Sequence, residues 1–415
     1  YSDKTQKEAI MNVKVDLTGC GVKLEELEKY KDAIERATDD LWSDEDPRYG
    51  WVKLPMRMNA GDLARMFNAA ERTAEKCGMF VIVGNGGSYL GIKAVIEAVG
   101  DRPEGAPKVM FVGEGISSRE FSDTLDRMDH YEVCVCVISK YGETPETIAA
   151  YQIVKDYMFD RYGDKEAAER IRILTGAPES TLGQMAAKDG CQSFEISKDY
   201  SGILSTASLF PMAVAGVEID KLLSGAEVMA TDDEWDTTAG YYAAARKILN
   251  DSGKIVEVFQ YGQPDLDSLA TWVSHLFMES DSKKGKGIYT STMNLARDFK
   301  AKAQYMSSAA PAFFETEILA AETGSDLELP KDIKDRTKAD TVDELGRIIA
   351  EQMKETYRSD DMDAIKIEIP NTDAYNLGQI IYFFLMSASI SAHLFGVDPF
   401  ERSMIDRFKE RLKLK

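Results

Sequence analysis

The chain has 415 residues, 44% of them hydrophobic and 29% charged, a length at which one hydrophobic core stops growing and two domains are expected. Its 50 Lys and Arg stand against 71 Asp and Glu, a formal charge of −21. That balance argues against nucleic acid and anionic membranes as partners, since both need a basic face, and leaves an anionic small substrate only if cations gather at its site.

In chain order, the first 75 residues read as helical and polar-faced, and their opening YSDKTQKEAI holds no apolar leader segment. From residue 79 short apolar runs alternate with helical patterns: MFVIVG then IKAVIEAVG, KVMFVG then SREFSDTLDRM, EVCVCVIS then TPETIAAYQIVKDYM, IRILTG then STLGQMAAKDG, and CQSFEIS then LSTASLFPMAVAG. Strand-then-helix units in series imply right-handed crossovers and a parallel sheet with helices on both faces. Continuous rather than alternating apolarity agrees with strands buried on both sides. An acidic stretch, ATDDEWDTTAG, then leads into a second series: helix YYAAARKILN, strand KIVEVFQYG, helix DLDSLATWVSHLFMES, and the apolar runs FFETEILA and AIKIEIP. The chain closes on a long helical pattern, AYNLGQIIYFFLMSASISAHLFG, and a basic amphipathic tail. The fold class expected is α/β, with two doubly wound parallel sheets and added terminal helices. The first, smaller domain is expected over 75–220, and the second over 1–74 plus 221–415.

LFPMAVAGVEI reads as the longest apolar run, too short to span a bilayer. Five cysteines, Cys20, Cys77, Cys134, Cys136 and Cys191, are odd in number and sit mostly in apolar stretches, which points to free thiols in a reducing, cytoplasmic compartment. Cys134 and Cys136 share a strand face but have no further ligands nearby in sequence, so no metal site is expected there.

Three segments carry chemistry. VIVGNGGSYLG is a strand, a glycine-rich turn and a helix start, where Gly84, Gly86 and Gly87 admit a ligand and Ser88 with the helix N-terminus offers donors to an anion. Tyr89 stands where a dinucleotide fingerprint needs its third glycine, and Glu114, which could imitate its ribose-binding acid, lies 30 residues beyond Gly84 rather than about 20. VISKYGETPET presents Ser139, Thr144 and Thr147 at the end of another strand, with Glu143 and Glu146 in the same loop. Thr144 as N-cap and Pro145 in the first turn would account for that loop structurally, and an N-cap is equally an anion site. On the helix DLDSLATWVSHLFMES, Leu266, Leu269, Trp272, Val273, Leu276 and Phe277 form an apolar stripe with His275 and Glu279, four apart, on its flank. A carboxylate half in the core is a plausible general base, and a surface His–Glu pair is the plain alternative.

These stretches, with STASLFPMAVAG, FMESDSKKGKGI, DFKAKAQY, FFETEI, YNLGQIIYFF and GVDPFERSMIDRFK in that order from about residue 75 to the C-terminus, resemble the phosphoglucose isomerase family. The resemblance implies two sugar-isomerase domains and interconversion of glucose 6-phosphate and fructose 6-phosphate through an enediol(ate), with no metal or organic cofactor. It implies a homodimer sharing its site between subunits. It assigns Gly87, Ser88, Ser139, Lys140, Thr144 and Thr147 to the sugar phosphate, Glu279 as the base, and Lys409 to ring opening.

The chain departs from that pattern in several places. A small hydroxyl residue of the family loop is Tyr141 and a family threonine is Glu143, whereas Glu146 matches an acid the family also carries. The Gly-Gly-Arg motif before STASLFP is replaced by SKDYSGIL, leaving Lys198 and Arg402 as candidate cations for the enediolate. The ring-opening histidine aligns with Lys300, a side chain held as an acid at neutral pH, so His275 is the candidate titrating group. The family's glutamine near the tail is Arg402. Alternatives to the isomerase are a catalytically impaired sugar-phosphate-binding paralogue and an isomerase of a different phosphorylated sugar.

Overall fold

The computed structural model describes residues 11–100, 102–196, 202–231, 236–325, 327–357 and 362–412. Its strands, in chain order, are β1 Lys14–Asp16, β2 Met79–Gly84, β3 Lys108–Val112, β4 Val133–Ile138, β5 Ile171–Thr175, β6 Gln192–Glu195, β7 Val256–Tyr261, β8 Tyr289–Asn294, β9 Phe313–Ala320 and β10 Asp363–Ile369. They form two five-stranded sheets, each belonging to its own compact unit.

The first sheet runs β3-β2-β4-β5-β6, parallel throughout. β2 and β4 are buried along their whole length, as their unbroken apolar runs require, while the edge strands β3 and β6 keep exposed residues. Val81, Val83, Val133, Val135 and Val137 pack with Tyr151, Val154 and Met158 of the helix Pro145–Arg170. That helix breaks at Gly163, whose φ of 73° is outside the helical region. All five cysteines are free and buried.

The second sheet runs β1-β10-β9-β7-β8, parallel except for β1, which pairs antiparallel with β10. Two of its strands lie outside the apolar runs read from sequence: three-residue β1, and β8, whose YTSTMN is too rich in hydroxyl residues to register. The helix Ala374–Phe395 is the longest apolar segment, not LFPMAVAGVEI; it has the length and composition of a membrane span. Nearly every side chain on it is buried, against the helices Lys31–Trp42, Tyr241–Asp251 and Asp267–Ser280, as befits a helix apolar on all sides at the centre of a core.

The unit of the first sheet comprises 44–96, 102–219 and 402–415, and that of the second 1–43, 97–101 and 220–401. Residues 44–74 and the C-terminal tail thus join the first sheet, whereas the sequence reading attached them to the second. Packing is the reason: the helix Ala60–Ala74 buries Met66, Ala69, Ala70 and Thr73 and lies against the helix Thr206–Val214 of the first unit.

Candidate active site

In the first sheet β2 lies between β3 and β4, so the chain leaves neighbouring strand ends in opposite directions. Such a switch point opens a crevice outside the carboxyl ends of the strands. Gly84 pairs with Ile138 in the register of β2 and β4. A Cβ on Gly84 would lie 2.7 Å from the Tyr89 ring and 3.2 Å from the Ile138 carbonyl. The two loops therefore start in contact. Gly86, at φ 81°, then turns the chain into the helix Gly87–Ala98 with nothing within 4 Å of its own Cβ position, which leaves the space above it open. Ser88 is half-buried in the first turn, where backbone N–H groups have no helical acceptor. Glu114 is salt-bridged to Lys93 at 2.7 Å.

The loop after β4 is held tightly. Gly142 donates its N–H to the Ser139 hydroxyl and to the Ser139 carbonyl, both at 3.1 Å, and accepts from the Leu182 N–H at 3.0 Å. The Ser139 hydroxyl donates to that of Thr144 at 3.3 Å. Thr144 is the N-cap of the 145–170 helix with Pro145 following, as the sequence implied, but its side chain makes no capping bond. The N-terminal dipole of that helix is left without a side-chain cap, the arrangement in which an anion is favoured. Thr147 is fully buried, and its hydroxyl has no hydrogen-bond partner. It lies beneath the loop rather than on its open surface.

Glu143, the acid that stands where the family has a threonine, is engaged by a neighbouring helix. Its two carboxylate oxygens accept from the backbone N–H (2.7 Å) and hydroxyl (2.8 Å) of Thr181 at the start of the helix Thr181–Asp189. Tyr141 holds two cations, with Arg402 stacked 4.3 Å from its ring centroid and the Lys140 ammonium at 5.3 Å. Two departures from the family pattern thus form one contact, and it keeps positive charge beside the loop.

Of the remaining candidates, His275, Glu279 and Lys300 belong to the second unit and Lys409 to the first. β7 is followed by the helix Asp267–Ser280 and then by parallel β8, so this helix returns the chain toward the amino ends of the strands and carries Glu279 in its last turn. Leu269, Trp272, Val273 and Phe277 are buried as expected, but Leu276 is only half-buried, and His275 and Glu279 are exposed. Their side chains turn further round the helix than a flank position implies, and the expected burial of Glu279 is absent. Lys300 is exposed on the helix Leu295–Ser308. Lys409 falls in the C-terminal helix Ser403–Leu412, and Lys198 lies outside the described residues.

Sequence reasoning overlooked Arg246. It is wholly buried in the helix Tyr241–Asp251 and bridges Glu257 at 2.7 Å and Asp281, the residue that ends the Glu279 helix. Its signal was a lone arginine four positions from Tyr242 on the apolar face of YYAAARKILN. Among the described residues no group of three or more His, Cys, Asp or Glu is arranged to hold a metal ion. A cavity of about 850 Å³ in the first unit, lined by Arg65, Arg72, Arg172, Gln192 and Phe194, includes none of these candidates.

A family model described as phosphoglucose isomerase matches residues 62–296, more than half of the chain. The chain belongs to the phosphoglucose isomerase family. Its similarity extends beyond that segment: it is 32% identical to the glucose-6-phosphate isomerase of Shouchella clausii over 88% of this chain and 85% of that one. It is likewise 32% identical to that of Clostridioides difficile with the same coverage. Among solved structures, a hypothetical protein from Thermus thermophilus superposes with a TM-score of 0.85 at 20% identity, covering 97% of this chain and all of that one. A glucose-6-phosphate isomerase from Chlamydia trachomatis superposes at 0.79 and 14% identity, over 97% and 88% of the two chains. At such identities the superpositions establish the phosphoglucose isomerase fold, and the family assignment rests on the sequence matches.

Proposed function

We propose that this chain interconverts glucose 6-phosphate and fructose 6-phosphate in the cytosol, as a homodimer whose site is shared between subunits. The observation that supports it most is the meeting, at the β2/β4 strand ends, of an open glycine turn with a hydroxyl-bearing loop whose helix lacks a side-chain cap. A phosphate there accepts from the backbone and side chains of Gly87, Ser88, Ser139 and Thr144, with Lys140 supplying charge and Thr147 forming the floor. Glu279 is the base: it takes the proton from C2 of the open-chain sugar as the C–H pair forms the C1=C2 bond and the carbonyl π pair moves onto O1, giving an enediol(ate). The proton then returns at C1 as the O2 hydroxyl gives up its proton and becomes the carbonyl, and O1 is left as a hydroxyl. Closure of the substrate over an exposed carboxylate supplies the desolvation that its own fold does not. Lys409 and Lys300 assist ring opening, and His275 exchanges the ring-opening proton. Arg402 takes the charge-stabilising place of the missing family arginine. The reaction only relocates a proton, so no cofactor is called for.

The test is a coupled assay of fructose 6-phosphate conversion on wild type, Glu279→Gln and His275→Gln. Glu279→Gln should lose at least about 10³-fold in kcat while retaining competition by inorganic phosphate. Undiminished turnover in that variant refutes the base assignment, and undiminished turnover in His275→Gln refutes the proton-exchange role. Binding of sugar phosphate without turnover by wild type would replace the isomerase by a binding paralogue.

A further inference from the structure

The last turn of the Asp267–Ser280 helix is gripped from two sides by one buried guanidinium. Arg246 lies over the Phe277 ring, 3.8 Å from its centroid, and bonds through Nη1 to the carboxylate of Asp281. Phe277 and Asp281 bracket Glu279 by two residues on each side. Asp281 accepts further hydrogen bonds from the hydroxyls of Ser391 (2.7 Å) and Ser282 (3.0 Å), and Ser391 also accepts from Arg246 at 2.6 Å.

The other end of the guanidinium is anchored in the sheet. Arg246 Nε donates to Glu257 on β7 at 2.7 Å, and the opposite oxygen of Glu257 accepts from Tyr242 at 2.7 Å and Thr316 at 2.6 Å. Arg246, Glu257 and Asp281 have no exposed surface; each carboxylate is met by three donors, while Nη2 of Arg246 has no hydrogen-bond partner. Burial opposes the charge of Arg246, but Asp281 and Glu257 hold it firmly protonated. Burial and the Glu257 charge likewise keep the Tyr242 phenol a donor.

A chain buries two carboxylates and one guanidinium at a desolvation cost that well-packed apolar side chains would avoid, so stability alone does not account for the cluster. Its geometry does account for directionality: a planar fork ties a helix end to a strand and to the central helix, and the side chain at the free position between its two grips is Glu279. We propose that Arg246 is a positioning residue for Glu279, setting the carboxylate against the proton that it transfers. The inference rests on the assignment of Glu279 as the base.

Arg246→Lys keeps the charge and loses the fork. The expected result is a fall in kcat of about 10²-fold, as for a sub-ångström to 1 Å displacement of a reacting group, with KM within about threefold because phosphate contacts made by other residues carry binding. A merely structural role would not alter how the abstracted proton partitions. In deuterated water, the ratio of C2 exchange with solvent to isomerisation should rise, because a misplaced carboxylate loses its proton before returning it. Ser391→Ala, which removes one donor to Asp281, should lower kcat about tenfold with the same change in ratio, and it carries the test if Arg246→Lys does not fold. Folded variants with wild-type kcat and exchange ratio overturn the proposal. If Glu279→Gln abolishes turnover while these variants are unchanged, positioning alone fails; if Glu279→Gln retains turnover, the base assignment fails with it.

Discussion

Replacing Gly142 by alanine tests whether the loop after β4 is built around one backbone conformation. Gly142 has φ +66°, and a Cβ there would sit 1.8 Å from Ser180 Oγ and 2.6 Å from Ser180 Cβ. The left-handed conformation costs a non-glycine residue about 1–2 kcal/mol. The clash cannot be relieved cheaply, because the Ser180 hydroxyl donates to the Ala177 carbonyl at 2.5 Å and accepts from the Gly183 N–H at 3.2 Å as the N-cap of the next helix. Moving it forfeits about 1 kcal/mol of capping, and residual overpacking adds about 1–3 kcal/mol. The sum is a loss of about 3–6 kcal/mol from the first unit, combining those ranges. Gly86→Ala is the internal control: its φ is +81° but its Cβ meets nothing within 4 Å, so only the backbone cost of about 1–2 kcal/mol applies. Urea unfolding followed by fluorescence reads the difference, and competition by inorganic phosphate reads the loop geometry. Equal destabilisation of the two variants, or a Gly142→Ala protein as stable as wild type, would refute the steric argument.

Two further outcomes follow from specific bonds. Glu143→Ala should lower stability by about 1 kcal/mol, by removing the acceptor of the Thr181 N–H in the first turn of the helix that Ser180 caps, and leave phosphate competition within about twofold, because the carboxylate is engaged by Thr181; a large gain in phosphate affinity would mean that Glu143 faces the anion after all. Asp298 is held down to about 2, chiefly by its hydrogen bond from Arg297 and further by Lys302. Its folded value lies below the unfolded one, so its contribution is present above about pH 4 and disappears as pH falls toward 2. Asp298→Asn should therefore cost no more than about 1 kcal/mol at neutral pH, given solvent-screened partners, and nothing near pH 2; a denaturation series against pH in which the two proteins stay equally separated would contradict this.

The legible parts of the molecule are those whose physics is local. β2 and β4 declare themselves as apolar runs, because a strand covered on both faces has no polar side to show. β8 does not, because its buried Thr290 and Asn294 side chains find partners, in the Ser274 hydroxyl and the Arg297 N–H, that only the fold supplies. The N-cap position of Thr144 and the start of the helix at Pro145 were readable from five residues, yet the missing capping bond was not, since it depends on the Thr144 hydroxyl pairing with Ser139 instead. Glu143 misled for a similar reason: in sequence it is an acid in an anion loop, and in space it accepts from the first turn of a helix that begins 38 residues later.

The sequence by itself determined the α/β class, the order of the strand-and-helix units and the chemistry of the two loops, because each is written in contiguous residues whose backbone preferences and charges act over a few ångströms. The tertiary structure decided which strand ends adjoin, that 44–74 packs with the first sheet, that Thr147 lies under the loop, and that Arg246 reaches Glu257, Asp281 and Ser391 across separations of 11, 35 and 145 residues. Those pairings have no local signature. A buried charge is tolerated only where distant parts of the chain arrive together to neutralise and hydrogen-bond it, and that condition is met by folding.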